Sequence, residues 1–115
     1  MQGVTILMAN ILVVRFNDVL GEELADALRT RRHAVGICVG DQPVPEAIQA
    51  YGDGVDLIIV DVSLADEACL RVLKGVARYR SEHGPRPMVL CVSTVYRGPQ
   101  FELEIERKGA RLVYA

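Results

Sequence analysis

The sequence lacks the features that identify several common classes of protein. Its formal charge is only −2 at pH 7 over 115 residues, so it has no strong positive field to attract nucleic acid or an anionic membrane. The apolar run at 4–8 has no basic segment before it and no cleavage site after it, and it is far too short to span a bilayer. No GxGxxG or Walker phosphate loop is present. We therefore expect neither a nucleic-acid-binding protein nor a membrane protein.

Reactive and metal-binding residues are also scarce. The three cysteines, Cys38, Cys69 and Cys91, are widely spaced and form no CxxC pair, so no metal site is predicted. An odd number of cysteines without a signal peptide favours the reducing cytoplasm, and cysteines in apolar runs are typical small core residues. His33 and His83 lie near predicted helix ends. No Ser-His-Asp or Cys-His set can be assembled, so we do not expect an enzyme.

Short apolar runs alternate with helical patterns along the whole chain. Strands are predicted at 10–14, 34–39, 56–62, 88–93 and 111–114, and helices at 18–31, 45–51 and 68–82. The segment 99–108 alternates with period two, as a strand does, but Pro99 near its start and Gly109 after its end favour a helix. The run at 57–60 is apolar on both faces, which is typical of a strand covered on both sides.

The alternation predicts an α/β fold in which parallel strands are connected by right-handed crossovers, with helices on both faces. The carboxyl ends of the strands in such a sheet form the site, at the point where the strand order reverses. The loops that we expect to meet there are 15–18, 61–66 and 93–97.

Three stretches of sequence resemble response-regulator receiver domains. ILVVRFN at 11–17, followed by the helix pattern from Asp18 to Leu28, fits the family's first strand and helix without a gap. VDLIIVDVSLA at 55–65 fits its third strand, and Lys108-Gly109-Ala110 resembles the segment before its last strand. The resemblance covers residues 8–115 and leaves 1–7 as an extension. It implies a flavodoxin-like three-layer sandwich, with five parallel strands in the order 2-1-3-4-5.

The resemblance also implies a phosphorylation site. Receivers accept a phosphoryl group on an Asp after the third strand, which corresponds to Asp61, and hold Mg²⁺ with an acidic pair after the first strand. This chain has Arg15 and Phe16 at the positions of that pair. The family's Ser or Thr after the fourth strand corresponds to Ser93 or Thr94 if a one-residue gap is allowed, whereas an ungapped count places Val92 there.

The replacement of the acidic pair removes the ligands that Mg²⁺ prefers, and phosphoryl transfer depends on that charge neutralisation. Asn17 and Asp18 would form an offset pair only with a bulge. We expect Arg15 to bond to Asp61 and to place a permanent cation where the family has a metal. In the alternative, Arg15 extends into solvent and Phe16 packs on the first helix.

The resemblance further implies a fifth helix and a Lys after the last strand, and the chain ends before both. Four residues on strands four and five would then lack cover: Leu90, Val92, Leu112 and Tyr114. An uncovered patch at a sheet edge favours an interface, so these residues predict a homodimer or an obligate protein partner.

The leading hypothesis is therefore a cytoplasmic pseudo-receiver that acts as a signalling and protein-interaction module without a cofactor. Its partner would be a histidine kinase or an effector protein. One alternative is a working receiver phosphorylated at Asp61, with Mg²⁺ or with Arg15 in its place. Another is a flavodoxin-like binder of a small molecule or nucleotide.

Overall fold

The computed structural model describes residues 9–15, 18–39, 46, 48, 54–63 and 66–114. The strands are β1 (Asn10–Arg15), β2 (Ala34–Val39), β3 (Leu57–Asp61), β4 (Met88–Ser93) and β5 (Arg111–Tyr114), and the helices are α1 (Asp18–Thr30), α2 (Asp66–His83) and α3 (Pro99–Arg107). All strand pairs are parallel, in the order β2-β1-β3-β4-β5. The predicted α/β fold and strand order are confirmed.

Two predicted segments lie wholly or mostly outside the described residues. They are the extension at 1–7 and the short helix at 45–51, of which only Glu46 and Ile48 are described, both as helical. Ile48 is 1% exposed and belongs to the core.

The sheet has an apolar core on each face because its central strands contain consecutive apolar residues, at 11–14, 57–60 and 88–92. One core contains Ile11, Val13, Ile59 and Val92, against which Leu24 and Leu28 of α1 pack. The other core lies under α2 and α3, and it includes Leu12, Val14, Ile58, Val60, Leu73 and Ile105. The chain is therefore three layers deep, as predicted, and none of the described helices is long and apolar enough to cross a membrane.

The ambiguous segment at 99–108 is a helix rather than a strand. Gly98 precedes it with a φ of 91°, Pro99 occupies its first turn, and Ile105 is its buried residue. A non-glycine residue adopts such a positive φ only at a cost, so Gly98 and Pro99 together set where α3 begins.

The predicted interface residues do not form one patch. Val92 pairs with Val113, and Cys91 pairs with Leu112. Since side chains alternate between faces along a strand, Val92 points towards the α1 side whereas Leu112 points towards α3. The prediction of a single surface from all four residues is wrong, because it placed them on one side without the register between β4 and β5.

The two predicted interface residues of β4 and the two of β5 contact different parts of the chain. Val92 is 6% exposed, and Leu90 is partly buried beside it in the core on the α1 side. Leu112 packs against the core under α3, and the hydroxyl of Tyr114 donates to Glu102 Oε2 at 2.9 Å. Val92 is therefore packed within the chain, whereas Leu90 and Leu112 are half-buried and Tyr114 is 42% exposed.

The cysteines are core residues, as predicted. Cys38, Cys69 and Cys91 are free thiols and are buried. A hydrogen bond with Cys91 and, as a smaller contribution, burial raise the pKa of the Cys69 thiol far above its ordinary value. Thiols that stay protonated are poor nucleophiles and poor metal ligands.

Candidate functional site

The predicted site lies at the carboxyl edge of the sheet, where three neighbouring strands end. Arg15, Asp61 and Ser93 are the last residues of β1, β3 and β4 respectively, and these strands are adjacent in the order β1-β3-β4. The structure therefore brings together the three strand ends that the sequence predicts. Phe16 and Asn17 lie outside the described residues, as does the side chain of Asp18, which begins α1.

Asp61 is the buried acidic group of this site. It is 1% exposed, and its Oδ1 accepts a hydrogen bond from the backbone N–H of Ser63 at 3.0 Å. Among the described residues, no hydrogen-bond partner reaches Oδ2, which is buried as well. Because a buried polar atom without a partner is costly, such atoms are uncommon and often belong to functional sites. Asp61 is therefore the central residue of the candidate site.

The prediction that Arg15 bonds to Asp61 is wrong. Arg15 Nη1 donates instead to Glu22 Oε1 at 2.9 Å. The reason lies in Gly21 of α1, where an added Cβ would stand 2.5 Å from Arg15 Cβ and 2.9 Å from Arg15 Cδ. The stem of Arg15 therefore lies along the first turns of the helix, and its guanidinium reaches Glu22. The two side chains are 20% and 51% exposed, so the pair stabilises the fold by at most about 1 kcal/mol.

Ser63 connects the loops after β3 and β4, and the sequence reasoning missed it. Its Oγ accepts hydrogen bonds from the backbone N–H of Thr94 at 3.0 Å and from Thr94 Oγ1 at 3.1 Å. Ser63 is 4% exposed, and its own N–H holds Asp61 Oδ1. The signal for Ser63 in the sequence was a polar residue two positions after the end of a buried strand. Ser63 thus couples the position of the Asp61 carboxylate to that of Thr94.

The structure distinguishes Ser93 from Thr94, which the sequence left as alternatives. Ser93 Oγ donates to the carbonyl of Val95 at 2.6 Å and accepts from the N–H of Val95 at 3.0 Å. These bonds form a local turn of the kind that Ser side chains often make. Ser93 therefore shapes its own loop, whereas the Thr94 hydroxyl reaches across to the loop that carries Asp61.

Arg97 brings a cation to the same loops, and it too was missed. Its Nη1 donates to the carbonyl of Ser63 at 3.0 Å, and its guanidinium carbon lies 4.9 Å from the ring centroid of Phe101. Stacking of this kind is favourable for an arginine. The sequence signal was an Arg two residues before Pro99 in one of the predicted site loops. Arg97 therefore ties the β4–α3 loop to the loop after Asp61.

Comparison with known proteins gives structural relatives alone, since the chain matches no family model and no curated protein. It superimposes on a chain of the CheX–CheY complex with BeF3 and Mg²⁺ from Borrelia burgdorferi with a TM-score of 0.77 and 12% identity, over 95% of this chain and 79% of that one. It superimposes on the receiver domain of the histidine kinase CKI1 from Arabidopsis thaliana, complexed with Mg²⁺ and BeF3, with a TM-score of 0.72 and 16% identity, over 94% and 81%.

A third solved structure is a putative pilus assembly-related protein from Burkholderia pseudomallei. It has a TM-score of 0.72 and 22% identity, over 98% of this chain and 83% of that one.

The chain has the receiver-domain fold. This agrees with the resemblance drawn from its first, third and last strands. At these identities the likeness concerns the fold, so the chemistry of this receiver-like domain has to be argued from its own residues.

Among the described residues that end β1, β3 and β4, Asp61 is the one carboxylate offered to a magnesium ion. Mg²⁺ is bound through carboxylates and other hard oxygen ligands in an octahedral array. Within the described part of the chain, no group of three or more His, Cys, Asp or Glu side chains is placed to hold a metal. At the end of β1, Arg15 presents a guanidinium bonded to Glu22, and a cation there opposes binding of a second cation.

We expect Ser63→Ala to lower the free energy of unfolding by about 1 kcal/mol. The substitution removes the acceptor of both Thr94 bonds while retaining the backbone N–H that holds Asp61. The effect stays small because Thr94 is exposed and water can replace the serine. Urea denaturation followed by circular dichroism measures it. Thr94→Val, which removes only one of the two bonds, is the matched comparison. A larger loss in Thr94→Val than in Ser63→Ala would contradict the placement of Ser63 between the loops.

Proposed function

We propose that this chain is a pseudo-receiver, a non-enzymatic signalling and protein-interaction module that is not switched by magnesium-dependent phosphorylation of Asp61. The observation that carries the proposal is the guanidinium of Arg15, held by Glu22 at the end of β1 where the family resemblance places an acidic metal ligand. The phosphoryl group in a receiver develops negative charge that the metal neutralises. Without a metal at this position, transfer to Asp61 loses its main catalyst.

The burial of Asp61 supports the same proposal. A carboxylate that attacks a phosphoryl donor must approach the phosphorus in line with the leaving oxygen. Asp61 is 1% exposed, and Oδ1 is already bonded to the N–H of Ser63. A small phosphoryl donor would reach Oδ2 only if the surrounding loops moved.

One observation favours a second candidate, a receiver that is phosphorylated without a metal. Arg97 is bonded to the carbonyl of Ser63, next to the loop that carries Asp61. An arginine can stabilise a transferring phosphoryl group by charge-assisted bonds. In this reading Arg97, rather than Arg15, would supply the positive charge, and labelling of Asp61 would persist in EDTA.

We propose that the module works in the cytoplasm through contact with another protein, either a histidine kinase or an effector protein. We also propose a second copy of the chain as a partner, since β5 ends the sheet on one side and edge strands pair readily. Light scattering at micromolar concentration tests this point, and a monomer at every concentration would contradict the homodimer.

The proposed function is tested by incubating the protein with acetyl phosphate and Mg²⁺ and measuring its intact mass. We expect no phosphorylated species in the wild type, and the same result for Asp61→Asn. A receiver of known activity, treated in parallel, shows that the reagent works. Stoichiometric labelling that needs Mg²⁺ and is lost in Asp61→Asn would overturn the proposal. Labelling that persists in EDTA and is lost in Arg97→Gln would establish the second candidate instead.

A further inference from the structure

A groove separates helices α2 and α3 on the face of the sheet that both helices cover, and we call it the α2–α3 groove. It consists of three depressions with volumes of about 390, 460 and 600 Å³. The first shares Lys74 and Lys108 with the second, and Leu70 and Glu104 with the third. The depressions are therefore continuous, and the groove extends from Tyr96 to Gly109.

The floor of the α2–α3 groove is apolar. It is formed by Leu70, Leu73 and Ala77 of α2 and by Phe101 of α3. Leu73 is 1% exposed, whereas Leu70 and Phe101 are partly buried and pack on the core beneath them. At one end Tyr96 is 71% exposed. A partner that fills the groove would bury the exposed parts of Leu70, Phe101 and Tyr96, and aromatic anchors of this kind dominate many interfaces.

The rim of the α2–α3 groove is positively charged although the whole chain carries a formal charge of −2. Its lining contains five cationic and two acidic residues: Arg71, Lys74, Arg97, Arg107 and Lys108 against Glu67 and Glu104. Glu104 Oε1 lies 3.4 Å from Lys108 Nζ, so this pair neutralises one acid and one cation and leaves four cations against Glu67. The groove therefore has a net positive rim around an apolar floor.

We propose that the α2–α3 groove binds an acidic amphipathic helix of a partner protein. A helix with one apolar face fits an apolar groove between two helices, and acidic residues at the edges of that face would meet the cationic rim. An apolar floor on a chain of net negative charge does not suit nucleic acid. The inference rests on the protein-interaction role proposed above, but it does not depend on the chemistry of Asp61.

The probe is a fluorescent synthetic peptide of about 18 residues, long enough for about five helical turns, with Leu on one face and Glu along both edges. The control probe is the same peptide with every Glu replaced by Lys. We expect the acidic peptide to bind the full chain about tenfold more tightly than the basic one at low salt. The difference should shrink as salt screens the charges. Fluorescence anisotropy gives both values of Kd.

Two double variants locate the binding surface. Lys74→Glu/Arg107→Glu reverses two exposed cations of the groove, and we expect it to weaken binding of the acidic peptide about tenfold. Arg31→Glu/Arg32→Glu changes the net charge equally at exposed residues after α1, and we expect it to leave Kd within about twofold. Circular dichroism checks that both variants fold.

Three outcomes would overturn the inference. They are equal affinity for the two peptides, equal weakening by the two double variants, and binding to phosphatidylglycerol vesicles without saturable binding of the acidic peptide at about 1 mM. Asp61→Asn should bind the peptide as the wild type does. The titration therefore fails or succeeds independently of the acetyl phosphate assay.

Discussion

Ile105→Ala is expected to lower the free energy of unfolding by about 2–4 kcal/mol, because it deletes a fully buried side chain and leaves a cavity. Ile105 is 0% exposed and is the buried residue of α3. It also joins α3 to the core that β4 and α2 share. Urea denaturation monitored by circular dichroism gives the change in free energy directly.

The matched control for this prediction is Leu103→Ala in the same helix. Leu103 is 48% exposed, so the substitution should cost less than about 1 kcal/mol. In a strand, side chains two positions apart share a face, and Leu103 and Ile105 would then be equally buried. Equal losses of stability in the two variants would contradict a helix at Pro99–Arg107 and would remove one wall of the α2–α3 groove.

Gly21→Ala is expected to lower the free energy of unfolding by about 1–3 kcal/mol, the usual cost of overpacking. Replacing a glycine inside a helix by alanine ordinarily stabilises it by about 1 kcal/mol. Here the sign reverses, because the added Cβ would stand 2.5 Å from Arg15 Cβ. That atom is fixed to the backbone of β1, so the helix and the strand would have to move apart.

Two variants at Arg15 test whether its Cβ is the cause of the destabilisation by Gly21→Ala. Arg15→Ala retains the Cβ and should leave Gly21→Ala destabilising, whereas Arg15→Gly removes it and should make Gly21→Ala neutral or stabilising. This double-mutant cycle isolates the contact between the two positions. If Gly21→Ala raised stability in the wild-type background, the close packing of α1 on Arg15 would be refuted, and with it the reason that Arg15 pairs with Glu22.

The fold could be predicted from the sequence because its signals are local. Short apolar runs that alternate with helical patterns predict parallel strands and crossover helices, and the run at 57–60 indicated a strand covered on both faces. The error concerned Leu112 and Tyr114, whose face depends on the register between β4 and β5. No sequence pattern fixes that register, because a shift of one residue exchanges the two faces.

The site was predicted less completely, because several of its bonds link residues far apart in the chain. Asp61, Thr94 and Arg15 could be placed at the strand ends from the order of the elements. Ser63 and Arg97 lie in two of the loops predicted to meet there, but their bonds could not be predicted, since their partners lie about thirty positions away in another loop. The direction of Arg15 depends on the close approach of Gly21, which is a property of packing rather than of sequence pattern.

A pseudo-receiver that is not switched by magnesium-dependent phosphorylation should bind no divalent cation beside Asp61. Titration with Mn²⁺, which broadens the amide NMR signals of nearby residues, tests it most directly at the backbone N–H groups of Val62, Ser63 and Thr94. We predict no selective broadening of these signals at millimolar Mn²⁺, and the same spectrum for Asp61→Asn. Saturable broadening of the three signals that disappears in Asp61→Asn would contradict the claim and restore the reading of a metal-dependent receiver.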